Sequence, residues 1–390
     1  MIINLWPLLL PAAAWSGWSL AKRQLSSKSN DNSNQFSREY VVGLNYLLNE
    51  QPDKAVDIFI KLLEVDSETV ETHLALGSLF RQRGEVDRAT RIHQNLIARP
   101  QLSLYQRKES LMALARDYMS AGFVDRAERI YLEVVALGGD RELSSLRGLL
   151  IIYQQEKEWE KALDIIKKLE LSAGVSLQAE TAHYYCEIAL RNLKNNQTDK
   201  AFQAMKQALS VDKQSVRASL MLADFEVKNG RYKQAIKALK RVPDQDAEFL
   251  NEIIEPLVLC HRELDIMDEC IDYLEQKLPD YPRASVIFVI GEYLSKEKGV
   301  DFAIDYVSSH LGKHPSIRGL NKLIHWHLES AHGKVRDKLQ MLYAITTKFL
   351  ENKPIYRCRN CGFAGHLLHW HCPSCKEWGS IKPIHGLEGD

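Results

Sequence analysis

Apolar residues recur along most of the chain with the spacing of paired amphipathic helices. An alanine that precedes an apolar residue by three to four positions returns every 34 to 39 residues, at Ala55, Ala89, Ala127, Ala162, Ala201 and Ala235. Twelve positions before these alanines stand, in turn, Gly43, Gly77, Ala115, Leu150, Ala189 and Ala223. Five of these six residues are small, as is needed where two antiparallel helices cross closely. The pattern predicts a series of stacked helix pairs.

Two further positions recur within the pairs. Three positions after the small residue stand the aromatic residues Tyr46, Phe80, Tyr118 and Tyr153. A glycine that can end the first helix in a left-handed conformation recurs at Gly84, Gly122 and Gly230. These positions resemble the tetratricopeptide repeat, most clearly in NYLLNEQPDKAVDIF, GSLFRQRGEVDRA, ARDYMSAGFVDRAERIY and ADFEVKNGRYKQAIKAL. At about 34 residues per pair, residues 36–350 are predicted to hold about nine pairs, so we expect an all-α, tetratricopeptide-type helical solenoid.

The first helix of each pair lines the concave groove of such arrays, which bind peptides and protein segments. By carrying over the repeat pattern, we predict that the groove-facing residues include Glu71, Arg81, Arg116, Met119, Asp224 and Lys228. The alternative for each of them is an ordinary solvated surface position. The repeat body therefore predicts a protein partner without naming it.

The first 21 residues contain no charged side chain. As a helix they would span roughly 32 Å, which matches a bilayer core of about 30 Å. The alternative is a cleaved signal peptide, but such a peptide carries positive side chains before its apolar stretch, and none stands there. Lys22, Arg23 and Lys28 follow the stretch, so the positive-inside rule places the rest of the chain in the cytoplasm. We predict a transmembrane anchor at residues 1–21 and a flexible tether at residues 22–35.

Four of the seven cysteines are clustered near the carboxyl terminus, at Cys358, Cys361, Cys372 and Cys375. Two residues separate the cysteines of each pair, so both thiolates can reach one ion, and two such pairs provide tetrahedral coordination by sulfur. This ligand set suits one Zn²⁺ or one iron ion. Residues 354–385 contain too little apolar sequence to fold unaided, so we expect the bound metal to stabilise this domain.

Several residues near this cluster leave alternatives open. One of three histidines could replace a cysteine as ligand, although four thiolates already complete the set: His366, His369 and His371. Trp370 and Trp378 are predicted to pack against the last helices rather than to bind a ligand. We interpret His325 and His327 as a surface or interhelix histidine pair, with a second metal site as the alternative. Three isolated cysteines are predicted to be small buried side chains: Cys186, Cys260 and Cys270.

The charge balance argues against a protein devoted to nucleic acid. The 51 lysines and arginines equal the 51 acidic residues, whereas phosphate binding requires a basic excess. The metal domain alone is locally basic, which leaves a nucleic-acid-binding zinc ribbon as an alternative; its basic residues are Lys353, Arg357, Arg359, Lys376 and Lys382. The chain has no phosphate-binding loop, nucleophile elbow or HExxH motif, so we predict that it is not an enzyme. A rubredoxin-like electron carrier is the second alternative.

The order of these parts resembles the lipopolysaccharide assembly protein B family of Gram-negative bacteria over the full chain. The resemblance rests on REYVVGLNYLLNEQPDKAVDIF, LGSLFRQRGEVDRATRIHQ and the terminal CRNCGF, WHCPSC and IKPIHGL. The family's metal domain is rubredoxin-like, and its four ligands map onto Cys358, Cys361, Cys372 and Cys375. This chain departs from rubredoxin proper, because Lys376 stands where a glycine is expected and the ten-residue spacer is far shorter. The departure favours a structural metal over a redox metal.

The resemblance implies an adaptor of the bacterial inner membrane that regulates lipopolysaccharide synthesis. Family members are understood to bring the deacetylase that commits to lipid A synthesis to the membrane-bound AAA+ zinc protease that degrades it. They also connect to an inner-membrane protein that senses lipopolysaccharide. By this resemblance we expect these three proteins as partners, with the repeat body and metal domain on the cytoplasmic side of a single-pass anchor.

Overall fold

The computed structural model describes residues 41–43, 45, 46, 54, 58, 70–351, 353–387 and 389. The predicted anchor at residues 1–21, the tether at residues 22–35 and most of the first predicted helix pair lie outside these residues. Among the described residues, no helix combines the length and the apolar character needed to cross a bilayer. The chain divides into two compact units. The first contains the described residues up to Glu158 and also Lys167–Gly174. The second contains Trp159–Ile166 and Val175–Asp390.

The first unit is a run of helices in which each of the first four packs against the next. Its helices are α1 Val70–Gln82, α2 Val86–Ile97, α3 Leu104–Ser120, α4 Val124–Ala136, α5 Glu142–Gln155 and the later part of α6 Trp159–Ala173. Ser103 begins α3 with a capping box, because its hydroxyl accepts from the amide of Gln106 while the Gln106 side chain accepts from the Ser103 amide.

The second unit continues the same helix order. Its helices are α7 Gln178–Lys194, α8 Thr198–Val211, α9 Val216–Lys228, α10 Tyr232–Leu239, α11 Val242–Gln245, α12 Leu250–Glu263, α13 Met267–Lys277, α14 Ala284–Lys298, α15 Val300–Lys313, α16 Ile317–Ser330 and α17 Gly333–Glu351. A 3-10 turn at Ala247–Phe249 joins the short α11 to α12. Between residues 70 and 351 the chain thus forms eight helix–turn–helix pairs. The total of about nine stays a prediction.

A left-handed residue ends the first helix in six of these described pairs: Gly84, Gly122, Lys157, Asn196, Gly230 and Asp265. The amide after it donates to a carbonyl five residues back, as from Glu85 to Phe80 at 2.8 Å, which completes a Schellman motif. The three predicted glycines are therefore confirmed in this role. The other three positions carry residues with a Cβ, including the Asn and Asp that tolerate this conformation best.

The repeating alanines form the contact line between paired helices. Five of them are fully buried, as predicted: Ala89, Ala127, Ala162, Ala201 and Ala235. The isolated cysteines Cys186, Cys260 and Cys270 are also fully buried, which confirms their interpretation as small core residues. Burial raises the pKa of the Cys186 thiol to about 12, so this thiol stays protonated and inert at neutral pH.

Gly291 marks a close crossing of α14 and α15. A Cβ added to it would lie 2.6 Å from Val307 Cγ2 and 3.1 Å from the ring of Trp326. Val307 is fully buried and has no free space into which it could move. Gly291→Ala should therefore lower the free energy of unfolding, measured by urea denaturation, by about 1–3 kcal/mol. The matched control is Gly312→Ala, where an added Cβ meets nothing within 4 Å; it should be neutral or stabilising by up to about 1 kcal/mol. Equal effects of the two substitutions would contradict the close crossing.

A small antiparallel sheet follows α17. Its strands are β1 Tyr356–Cys358, β2 Ala364–Gly365 and β3 Ile381–Pro383, with β1 in the centre. In the register of β1 and β3, Cys358 pairs with Ile381, and these two residues with Cys372 form the buried core of the domain. The residues after β3 run back to the start of α16, where the amide of Ile317 donates to the carbonyl of Leu387 at 3.1 Å.

Candidate metal centre and its docking surface

The four clustered cysteines converge on one point. Their sulfur atoms all lie within 4.8 Å of one another. The Cys358 and Cys375 sulfurs are 3.7 Å apart, and so are those of Cys361 and Cys372. Four thiolates at about 2.3 Å from a tetrahedral zinc ion would be roughly 3.8 Å apart, and a disulfide would need about 2.05 Å. The four cysteines are therefore positioned to bind one metal ion.

Two tight turns place the cysteine pairs. In the first, the Cys361 amide donates to the Cys358 sulfur at 3.5 Å, and Gly362 adopts a φ of +78°. In the second, the amide of Lys376 donates to the carbonyl of Cys372 at 3.0 Å. Lys376 has a φ of +60°, so this lysine adopts the left-handed conformation of the glycine that it replaces. Each turn thus has a left-handed residue directly after its second cysteine, Gly362 in the first and Lys376 in the second.

The surroundings shift the pKa values of the thiols in opposite directions. Burial raises the pKa of Cys358, but the Ser380 hydroxyl and the amides of Asn360 and Cys361 outweigh this effect and bring the pKa to about 6. Burial raises the pKa of Cys372 to about 11. The thiolate form of cysteine is the one that binds metal. A cluster in which one thiol ionises near neutral pH can therefore begin to bind a metal ion at neutral pH. The residues present fit either zinc or a single iron ion.

The nearby histidines have other contacts. His371 stacks on Trp378 at 4.4 Å between ring centroids. In α16, His325 stacks on Tyr343 of α17 at 5.3 Å, as expected of an interhelix histidine. We looked for places where three or more potential ligand side chains come close enough together to hold one metal ion. Among the residues that the structure describes, the four cysteines form the one such group. The geometry therefore favours four-thiolate coordination, without a histidine ligand or a second site.

Three polar pairs join the metal domain to the segment around the 3-10 turn: Arg359 with Glu248 at 2.5 Å, Lys382 with Asp246 at 2.6 Å and Tyr356 with Glu252 at 2.8 Å. Lys382 and Asp246 are each 24% exposed, so their ion pair is partly shielded from water. Arg359 and Lys382 belong to the basic set that leaves nucleic-acid binding as an alternative. Both are engaged by the protein's own carboxylates, which weakens that alternative.

Two tryptophans form the apolar part of this docking. The Trp378 ring stacks on His183 at 5.0 Å and meets Tyr184 and Trp159 edge-on at 5.8 and 6.3 Å. The Trp370 ring stacks on Phe249 at 5.4 Å. The prediction that both tryptophans pack against the last helices is wrong, because their aromatic partners stand on α6, on α7 and on the turn before α12. The metal domain thus contacts the middle of the helix series.

Comparison with known proteins identifies the family. Lipopolysaccharide assembly protein B of Escherichia coli is 39% identical over 383 residues, which cover 98% of this chain and 98% of that protein. The protein of the same name from Haemophilus influenzae is 37% identical over 397 residues, covering 99% and 100%. The chain belongs to the lipopolysaccharide assembly protein B family.

The parts of the chain also match known domain families. The rubredoxin metal binding domain matches residues 356–383, and the tetratricopeptide repeat matches residues 72–104 and 192–252. Among solved structures, the tetratricopeptide-like repeats of a putative kinesin light chain from Podosopora anserina are 19% identical, covering 47% of this chain and 97% of that chain with a TM-score of 0.34. MamA of Desulfovibrio magneticus is 16% identical, covering 46% and 96% with a TM-score of 0.30.

Within the second unit, the metal domain covers two side chains at a repeat position for which we predict groove exposure. His183 and Arg217 stand six positions before the small residues Ala189 and Ala223. Glu71 has the same place in the repeat register, six positions before Gly77. Both His183 and Arg217 contact Trp378, with the Arg217 guanidinium 5.7 Å from its ring. His183 of α7 and Arg217 of α9 are thus covered by the metal domain.

The predicted groove residues differ in their surroundings. Glu71 and Arg116 are exposed, and Met119 is half-buried. Asp224 and Lys228 are exposed and form an ion pair with each other at 2.6 Å. Their role in binding stays a prediction. Arg81 is not an ordinary surface residue, because its side chain is only 15% exposed and forms an ion pair at 2.7 Å with Asp117, a fully buried carboxylate that needs a counter-charge.

His183 should give the second unit an acid-sensitive stability. Burial, together with smaller electrostatic contributions from Arg217, His371 and Lys382, lowers its pKa to about 3. Folded His183 stays neutral while the unfolded chain binds a proton below about pH 6.5, so the free energy of unfolding should fall as the pH drops from 6.5 toward 3. This group should contribute up to about 1.4 kcal/mol per pH unit. His183→Phe keeps a ring against Trp378 and should give a shallower slope in urea denaturation; an unchanged slope would contradict the assignment.

Proposed function

We propose that this chain is a non-enzymatic adaptor that regulates lipopolysaccharide synthesis at the bacterial inner membrane. The name of its relatives, lipopolysaccharide assembly protein B, supports a role in lipopolysaccharide assembly. The tetratricopeptide repeats support a function in protein–protein binding, because such arrays present extended surfaces to protein segments. The proposed anchor at residues 1–21 would place the repeats and the metal domain at the cytoplasmic face of the membrane.

In this proposal the adaptor presents the deacetylase of the lipid A pathway to a membrane-bound AAA+ protease. Anchoring the adaptor beside the protease raises the effective concentration of the captured deacetylase there. An inner-membrane protein that senses lipopolysaccharide would modulate this presentation. The adaptor itself needs no catalytic group, because bond cleavage belongs to the protease.

The observation that carries the proposal is the docking of the metal domain on α7, on α9 and on the segment around the 3-10 turn. Trp378 covers His183 and Arg217, and ion pairs hold the domain on Asp246 and Glu248. The repeats and the metal domain therefore form one composite surface. A bound metal ion would cross-link the two cysteine turns and neutralise their thiolates. This structural role agrees with an adaptor and needs no electron transfer.

The experiment follows the half-life of the deacetylase after protein synthesis is stopped in cells. With the full chain at its native level the deacetylase should be short-lived, and removal of the whole chain should prolong its half-life severalfold. Deletion of residues 1–21 should have nearly the same effect, because it removes the high effective concentration while leaving the repeats folded. Arg116→Glu should weaken capture of the deacetylase by the purified full chain. A half-life that is unchanged without the chain would refute the adaptor function, and normal turnover with only residues 1–21 removed would refute the anchor.

A further inference from the structure

The last helix of the array, α17, has no buried residue. One side of it contacts α16, where the Asn321 amide donates to the Thr346 hydroxyl at 2.7 Å and to Thr347 at 3.0 Å. A neighbouring face carries five apolar side chains that are 47–64% exposed: Val335, Met341, Leu342, Ile345 and Phe349. We call these five residues the α17 stripe. Terminal helices of repeat arrays normally present a polar outer face, so this stripe is a candidate contact surface.

The charged residues of α17 are distributed unevenly around the stripe. At about 100° per residue, Lys334, Lys338 and Lys348 fall on the stripe or along its edge. Asp337 lies next to Lys348, just beyond that edge, whereas Glu351 and Arg336 fall on the far side of the helix. None of the three lysines forms an ion pair with another residue that the structure describes. Lysines in such places lay their methylene groups along apolar surface and hold their ammonium groups at its border.

We propose that the α17 stripe lies on the surface of an anionic phospholipid bilayer. Its five apolar side chains would enter the boundary between headgroups and acyl chains, and its lysines would meet the lipid phosphates. An exposed apolar face that carries lysines on it and at its edge, and no acidic residue on it, is typical of helices that lie in this interface. Each basic residue near an anionic membrane surface adds measurably to binding.

A second copy of the chain fits this surface less well. A two-fold contact between two α17 helices would bring both Lys338 side chains into the buried apolar centre, without an acidic partner from the same face. A bilayer surface instead accepts the lysines at its phosphates. Because only four residues separate Glu351 from Tyr356, α17 on the membrane would also hold the metal domain within roughly 15 Å of it.

The test uses the full, metal-bound chain in phosphatidylcholine vesicles, with and without phosphatidylglycerol. An environment-sensitive fluorophore is attached to Ile345→Cys on the stripe or, as the matched control, to Gln340→Cys on the far side of the same helix. Both positions are exposed, so neither substitution removes core packing, and melting curves check this. The unsubstituted chain, treated with the same reagent, is the blank for the exposed native thiol of Cys361.

On anionic vesicles, lipids that carry a quencher near the headgroup should quench the probe at position 345 at least about twofold more than the probe at position 340. Lys334→Gln and Lys338→Gln should each reduce the ratio of membrane-bound to free α17 by about fivefold. Equal quenching at the two positions would overturn the proposal, as would quenching that does not depend on phosphatidylglycerol. The proposal would also be overturned if the probe at position 345 became shielded from water as the protein concentration rises, with or without lipid. That result would assign the stripe to a second copy.

Discussion

Replacing Cys358 with serine should release the metal and separate the metal domain from the helices of the second unit. Three thiolates and a hydroxyl bind zinc or iron far more weakly than four thiolates. Bound zinc contributes about 10–16 kcal/mol to small domains of this kind, and here two of the three buried core residues, Cys358 and Cys372, are among the proposed ligands. Little apolar core would remain to hold the sheet together after the metal is lost.

The effect should extend beyond the metal domain because of where it docks. When Trp378 leaves His183 and Trp370 leaves Phe249, the middle helices expose apolar surface that those rings cover. Each lost aromatic pair costs about 0.5–1.5 kcal/mol in addition to the buried area. The second unit should therefore melt at a lower temperature, while most of its helices persist below that temperature because adjacent pairs stabilise one another.

Metal analysis, near-ultraviolet circular dichroism and thermal melting together measure this outcome. Cys186→Ala is the matched control, because it removes a buried thiol from the same unit without touching a ligand. It should retain the metal and the tryptophan signal. If Cys358→Ser loses the metal but keeps both its tryptophan signal and its melting temperature, the docked domain does not stabilise the helices.

The local parts of this fold could be predicted from the sequence. The buried alanines and the left-handed glycines each report a contact within one helix pair, so they recur with the repeat and stand out. The cysteine turns are local as well, since each pair of ligands lies within one turn. Lys157, Asn196 and Asp265 were missed as left-handed residues because a search for glycine cannot find them.

Contacts between distant parts of the chain left no comparable signal. Arg359 and Glu248 are 111 residues apart, and the chain contains 51 acidic residues among which such a partner would have to be chosen. The docking of Trp378 on α7 could not be predicted for the same reason, because its partners are also distant in the sequence. Buried charges were missed for another reason, because a polar residue in a helical pattern is normally assigned to the solvent side. Asp117 was such a case, although its neighbours Leu114 and Tyr118 belong to the core.

Removing the charge of Asp117 should cause the largest loss of stability in the first unit. Its carboxylate is fully buried between α1 and α2, where Arg81 donates to Oδ1 at 2.7 Å and His93 Nδ1 lies 2.5 Å from Oδ2. Asp117→Asn nearly keeps the shape but leaves the Arg81 guanidinium without its counter-charge. Breaking a buried ion pair on one side costs about 3–5 kcal/mol. Urea denaturation should show this loss, and hydrogen exchange should locate it in α1–α4.

Asp224→Asn provides the matched control, because it makes the same change in an ion pair on the first helix of another pair. Asp224 and Lys228 are 60% and 70% exposed, so this substitution should change the free energy of unfolding by no more than about 0.5 kcal/mol. Combining Arg81→Met with Asp117→Leu separates charge from packing. If the single variant is unstable because the Arg81 charge is stranded, the double variant should recover part of the loss, since it removes both members of that ion pair and leaves only His93 without its carboxylate partner. A double variant as unstable as Asp117→Asn would mean that α1 and α3 depend on the packing of these side chains and not on their charges.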